Sequence, residues 1–225
     1  GNKWAFFPSA AIGWRLSEES FIQDLGVFNN LKLRVSYGEV GNNASISPYA
    51  TQANIFQTYY DFDGTPSLGY TINALSNQGI VWERSKEINV GLDFSLSDLP
   101  ISGTVEYYKR NTEDLILDDK VPNSTGFNNV LGNVGEIENS GIEVSLNSVN
   151  VSTGDFRWTS NLTFTANDDK VVKLAGGLTE DVGNARFVGE SVRAYYTYKF
   201  EGIWQLGQEA AAAEFGQVPG QVRIR

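Results

Sequence analysis

The 225-residue chain contains no cysteine and no histidine. Lack of cysteine excludes a disulfide framework, a thiol nucleophile and a thiolate-bound metal. It is common among bacterial surface proteins and leaves the compartment open. Lack of histidine removes the commonest general base, the commonest metal ligand and every Ser-His-Asp arrangement. Positive charge is scarce too, with 17 Lys and Arg against 27 Asp and Glu, a net charge of −10. That argues against nucleic acid, whose binding needs clustered cations to displace counterions. No apolar run exceeds about four residues, and a membrane-spanning helix needs roughly 20. The chain starts without Met or a leader and stops at "GQVRIR", so a piece of a longer protein is expected.

What is present is β-rich. Aromatics make up 12%, charged residues only 20%, and there are 23 glycines, which fits many turns and amphipathic surfaces. Period-2 alternation recurs. In "NLKLRVSYGEVGN", Leu31, Leu33, Val35 and Tyr37 alternate with Lys32, Arg34 and Ser36. Ile88, Val90, Leu92, Phe94 and Leu96 alternate with Glu87, Asn89, Gly91, Asp93 and Ser95. Ile142, Val144 and Leu146 alternate with Glu143, Ser145 and Asn147, and Phe156, Trp158, Leu162 and Phe164 with Arg157, Asn161, Thr163 and Thr165. "AFFPSAAIGWRLS" and "GTVEYYKRNTEDLIL" are further strands, and "AYYTYKFEGIW" is either a seventh or a structured loop. "GQEAAAAEFG" is the single predicted helix.

The connections carry more information. "SEESFIQDLGVFN", "SDLPISG" and "VSTGD" are short, whereas the links over residues 43–80, 116–138 and 168–190 are long. In an up-and-down sheet that alternation places every short turn at one end and every long loop at the other, as in transmembrane β-barrels. Compact domains rarely repeat long structureless loops. The predicted strands also exceed the usual five or six residues. Aromatics sit near the predicted strand ends: Trp4, Phe6, Phe7, Trp14, Tyr37, Trp82, Phe94, Tyr107, Tyr108, Phe156 and Trp158. Interfacial girdles use such residues, with apolar bodies and wet tips. By pattern alone the apolar faces also suit a soluble sandwich, in which a second sheet covers them.

The blocks "FFPSAAIGWRLSEESFI", "NNLKLRVSYGEVGN", "WERSKEINVGLDFSL", "VEYYKRNTEDLI", "NVGEIENSGIEVSLN" and "VRAYYTYKFEGIWQ" come in the order found in SusC/RagA-type TonB-dependent outer-membrane transporters. The resemblance runs from Phe6 to about Gly220 and covers the later part of that family's barrel. It implies an all-β, antiparallel up-and-down meander, a segment of a large transmembrane β-barrel with long external loops and short periplasmic turns. About six or seven strands are expected over residues 1–225, with the plug domain, early strands and final strands outside this chain. It further implies import of an oligosaccharide or peptide across the outer membrane of a Gram-negative bacterium. The implied partners are a SusD-like surface lipoprotein, the TonB complex (through the missing N-terminal part) and outer-membrane lipid. No cofactor is implied, and no catalytic or metal-ligating residue. The alternative is a secreted β-sandwich carbohydrate-binding or adhesin module.

In a barrel, Leu31, Leu33, Val35, Tyr37, Val90, Leu92, Phe94, Val144, Leu162 and Phe164 face lipid, and Lys32, Arg34, Asp93, Glu143 and Arg157 face the lumen. The strand through "NLKLRVSYGEVGN" then runs outward. "IFQTYYDFDG" is expected as an external loop in which Tyr59, Tyr60 and Phe62 offer faces for sugar stacking and Asp61 and Asp63 accept hydrogen bonds. It contacts ligand, the lid lipoprotein or neighbouring loops. "DFDGTP" lacks the later ligands of a calcium loop, including the Glu at position 12, and is read as a turn. Glu106 with Glu113, or Asp118 with Asp119, are read as solvated charge and not as a catalytic pair, which needs a set separation about a cleft. The sequons at Asn123 and Asn161 are chance matches. Gly141 is assigned a close approach or bulge at the external rim, and "GFNNVLGNVGE" a structured external loop.

Overall fold

The structure is a computed structural model that describes residues 4–224 apart from 45, 48, 50, 51, 54, 73, 74 and 128. Pro8, which cannot donate to a ladder, precedes β1 (Ser9–Arg15). A 3₁₀ turn and α1 (Ser20–Gln23) lead into β2 (Phe28–Asn42). The long link that follows holds its own hairpin, β3 (Ile55–Phe62) and β4 (Thr65–Ile72). Then come β5 (Glu83–Leu96), β6 (Ile101–Lys120), β7 (Asn129–Ser152) and β8 (Arg157–Lys173). The six-stranded sheet has the order β1-β2-β5-β6-β7-β8, with each neighbouring pair antiparallel. It is an open up-and-down meander.

The ends of the sheet differ, though less evenly than the sequence implies. Residues 16–27, 97–100 and 153–156 turn at one end. Residues 43–82, 121–128 and those after Lys173 lie at the other, the long-loop end. The middle loop is shorter than the sequence implies, because β6 and β7 run on to 20 and 24 residues. "GFNNVLGNVGE" is therefore largely strand: Asn129 to Gly135 pair with Leu115 to Lys120. A bulge at Asp114, whose φ is +58°, shifts the register below this extension. Gly141 is not at a rim. It lies inside the ladder between Tyr108 and Asn167.

Beyond β8, the pairs β9 (Glu180–Asp181) with β10 (Arg186–Phe187) shape a loop. "AYYTYKFEGIW" forms no seventh wall strand; its end is β11 (Phe200–Ile203), which pairs with β12 (Val222–Ile224) around α2 (Glu209–Ala213). Trp204 is the centre of that small unit. Its Nε1 donates to Gln217 at 2.6 Å, and Arg223 stacks on the ring at 5.4 Å. α1, which the sequence reading omitted, and α2 are both too short to stand without such packing.

Packing is that of a wall. The buried apolar residues are few and scattered, Ile80, Ile116, Val171 and Leu174 among them, and no large side chain is fully buried among the described residues. The strand-to-strand contacts among them lie within sheets, and no second sheet covers the apolar face. Ile12, Leu162 and Phe164 are 72%, 60% and 57% exposed. A soluble sandwich would bury these.

Candidate functional site

Directly opposite residues of an antiparallel ladder share a face, so the register fixes the two faces. One row reads Trp14, Leu33, Leu92, Val105, Val144, Phe164 and the next Ile12, Val35, Val90, Tyr107, Ile142, Ala166. Leu31, Phe94, Leu146 and Leu162 extend this face below, and Tyr37 with Ile88 above. Between them run rows of the opposite face: Arg34, Gly91, Glu106, Glu143, Thr165, and Lys32, Asp93, Thr104, Ser145, Thr163. Arg157 alternates onto this polar face with Asn161 and Thr163. Tyr108, a predicted girdle residue, also lies there, donating to Asn167 at 2.9 Å.

The polar face is a network. Arg34 Nε and Nη2 donate to the two carboxylate oxygens of Asp93 at 2.7 and 2.9 Å, and Nη2 also reaches Glu106. Arg110 Nε donates to Glu87 at 2.6 Å. Glu106 and Glu143 are directly opposite, a like-charge pairing that destabilises a sheet unless a cation offsets it. Arg34 is that cation for Glu106.

Towards the long-loop end the apolar face becomes charged, a feature the sequence reading missed. Glu39, Lys86, Asn111, Glu138 and Lys170 form one row across five strands. Lys86 donates to Glu113 at 2.6 Å, and Lys109 and Lys170 both reach Glu138, at 2.9 and 2.8 Å. Arg84 pairs with Glu39 at 3.3 Å, and the Tyr37 hydroxyl donates to Glu39 at 2.6 Å. The signal was available in the alternation itself, since Glu39 follows Tyr37, and Lys86 precedes Ile88, at period 2. The same geometry separates Glu106 from Glu113, which lie on opposite faces and hold different cations.

Tyr59, Tyr60, Asp61, Phe62 and Asp63 do not form one patch. Asp63 and Gly64 have φ of +54° and +74°, fitting the type I′ turn of a two-residue hairpin. Register then puts Tyr59 with Leu68 and Asp61 with Pro66 on one face, and Tyr60 with Ser67 and Phe62 with Thr65 on the other. Ile55, Tyr70 and Ile72 join Tyr59 on a mixed aliphatic and aromatic face. Phe56, Thr58 and Thr71 join Tyr60 on an aromatic and hydroxylated one, where the Tyr60 ring lies against Gly69.

A strap, residues 75–82, ties this hairpin to the wall. The Asn133 side chain pairs with both backbone groups of Val81 at 2.9 Å, and Asn77 Nδ2 donates to the Leu131 carbonyl at 2.8 Å. The buried Glu83 carboxylate accepts from Asn42 Nδ2 at 2.7 Å and from the Ile116 amide at 3.1 Å, just beyond the Asp114 bulge. In the loops, the Asn184 amide holds the Asp181 carboxyl below its ordinary pKa. The Gly207 amide does the same to Glu209.

An open meander with one apolar and one ion-paired face, and its longest connections at one end, is a segment of β-barrel wall. Residues 1–221 match the model of the family described as "TonB dependent receptor-like, beta-barrel", and the chain belongs to that family. It is 38% identical over 221 residues to TonB-dependent receptor P26 of Formosa agariphila, covering 94% of this chain and 22% of that receptor. It is 32% identical over 219 residues to TonB-dependent receptor SusC of Bacteroides thetaiotaomicron, covering 88% of this chain and 22% of SusC. Among solved structures it is similar to the RagAB peptide importer in the "open-open" state, with a TM-score of 0.78, 28% identity, and coverage of 90% of this chain and 22% of that one. The chain thus spans about a fifth of the length of these relatives. None of these names is that of an enzyme.

Proposed function

We propose that this chain forms part of the wall and external mouth of an outer-membrane importer that takes up an oligosaccharide or peptide. The observation that carries this reading is the register: one face apolar along Leu31, Leu33, Val35 and Tyr37, with Ile12, Val35 and Tyr37 exposed on it, the other carrying the Arg34–Asp93 and Arg110–Glu87 ion pairs. In hydrocarbon every backbone polar group must be bonded internally, which a closed barrel achieves. The apolar rows therefore face lipid and the Lys32, Arg34, Asp93, Glu143 and Arg157 face lines the lumen. The Glu39 to Lys170 belt then stands where strands leave the bilayer, with the Tyr37 ring below it and its hydroxyl reaching up to Glu39. The long-loop end is external, and its hairpin faces ligand or a SusD-like lipoprotein lid. Import is driven by the TonB complex through parts of the receptor outside this chain. The RagAB and SusC likenesses support the reading.

The test is spin-label accessibility in the complete receptor reconstituted in vesicles, where the cysteine-free sequence of this region allows single labels. Val35→Cys should be relaxed by dissolved oxygen and Ser36→Cys by a water-soluble nickel chelate. The reverse pattern would sink the lipid assignment. Loss of substrate uptake on deleting the complete receptor checks the transport half.

A further inference from the structure

Above the apolar rows, the same face carries a second feature besides the charged belt. Arg84 lies directly opposite Gly41, four residues beyond the Ile88–Tyr37 pair, and there the chain before β1 lies over β2. The Phe7 ring occupies the space that a Cβ at Gly41 would take, so it stands on the side of Tyr37 and Glu39. Trp82 is beside it, with ring centroids 6.0 Å apart, and the Arg84 guanidinium stacks on Phe7 at 5.8 Å. Trp4, Phe7, Val81, Trp82, Arg84 and Asp114 line a cavity of about 230 Å³, and Trp4 is 92% exposed.

Side, height and chemistry together select the ligand. A solute in the lumen meets the opposite face, so this cavity opens to the membrane side of the wall. Its row stands about 13 Å along the strand above Ile88, or about 10 Å in height at a tilt of roughly 40°. The headgroup layer of a phospholipid leaflet is only about 5–8 Å deep, so the ligand has a headgroup that reaches further. Aromatic rings offer stacking surfaces to the C–H faces of sugars, and the guanidinium of Arg84 and the carboxylate of Asp114 donate to and accept from hydroxyls. Between the cavity and the apolar rows, the belt turns its cations outward. Arg84 is 40% exposed over Glu39 at 11%, and Lys109 and Lys170 are 50% and 45% exposed over Glu138 at 19%. Such a layer suits phosphates that lie between acyl chains and sugars.

We infer that the cavity is a binding site for a membrane glycolipid of the leaflet at the long-loop end. Its sugars lie against Trp4, Phe7 and Trp82, its phosphates at the belt and its acyl chains on the rows through Ile88 and Val90. The inference rests on the lipid-facing assignment made above, and adds to it the class of lipid and the place where that lipid binds.

The experiment is native mass spectrometry of the purified complete receptor, released from micelles doped in turn with three probes: lipid A bearing its inner-core sugars, lipid A without them, and phosphatidylglycerol. The core-bearing glycolipid should be retained most and phosphatidylglycerol least. Arg84→Ala should lower retention of the glycolipid by roughly tenfold, as loss of hydrogen bonds from a charged group does. Trp4→Ala, at a side chain too exposed to matter for folding, should lower it by roughly two- to tenfold and leave phosphatidylglycerol unchanged. Equal retention of the three probes, unchanged retention in both variants while the heat-modifiable migration of the folded barrel persists, or displacement of the glycolipid by soluble maltohexaose would each overturn the inference. The lipid-facing assignment fails separately, through the labels at Val35 and Ser36. If those respond to oxygen and nickel as expected and retention is unselective, only the glycolipid site is lost.

Discussion

The guanidinium of Arg34 reaches Glu106, two strands away, by crossing directly over Gly91, which stands between them in the same row. A Cβ at Gly91 would come within 2.8 Å of Arg34 Nη2. The glycine is thus a notch that lets one arginine bind Asp93 and Glu106 together. Gly91→Ala should force the arginine aside and lower the unfolding free energy of the receptor in vesicles by about 1–3 kcal/mol, the usual scale of overpacking. Gly13→Ala serves as the contrast, since its Cβ would meet the flexible end of Lys32. Equal behaviour of the two would contradict the notch.

Leu33 sits in the middle of the apolar rows, between Trp14 and Leu92. Leu33→Arg should destabilise the folded barrel by about 2–4 kcal/mol if the row lies near the bilayer midplane. Urea titration in lipid vesicles measures this, and a negligible change would place the row away from lipid.

The two faces of the β3–β4 hairpin make the effects of Tyr59→Ala and Tyr60→Ala separable. A ligand resting on one face should lose affinity through one substitution and not the other. Comparable losses from both, measured by titration with surface expression matched, would show that the hairpin acts as a unit and not by its faces.

Glu83 is 8% exposed and holds both the Asn42 amide and the Ile116 N–H. Glu83→Ala leaves two donors without their acceptor and should cost about 1–3 kcal/mol. Glu83→Gln keeps an acceptor oxygen and should recover part of that. Thermal migration shifts on gels read both variants, and a harmless Glu83→Ala would show that water replaces the carboxylate.

The wall was legible in the sequence where one face is continuous. The alternation through Leu31, Leu33, Val35 and Tyr37 is a local pattern, and the register of β2 on β5 repeats it strand by strand. The run from Asn129 to Glu136 was not legible. Its glycines and asparagines carry turn propensity, but pairing with Leu115 to Lys120 overrides it. The Tyr59 to Asp63 cluster was visible as chemistry but not as geometry. The period of a strand divides neighbours between faces, so adjacency in sequence became separation in space. The strap bonds from Asn77 to Leu131 and from Val81 to Asn133 join residues far apart in the chain, for which local pattern has no signal.

The hairpin inside residues 43–82 has a consequence for the order in which the sheet assembles. Strands β5 to β8 are joined by links of 97–100, 121–128 and 153–156, so each pairing closes a short span. β2 must find β5 across a far longer one, and the entropy of closing a loop rises with its length. Tyr59 to Phe62 folding back on Thr65 to Leu68 takes up part of that slack before the ends meet. The same element that stands at the long-loop end also shortens the widest gap in the chain's path, so β5–β8 can zip first and β1–β2 dock last.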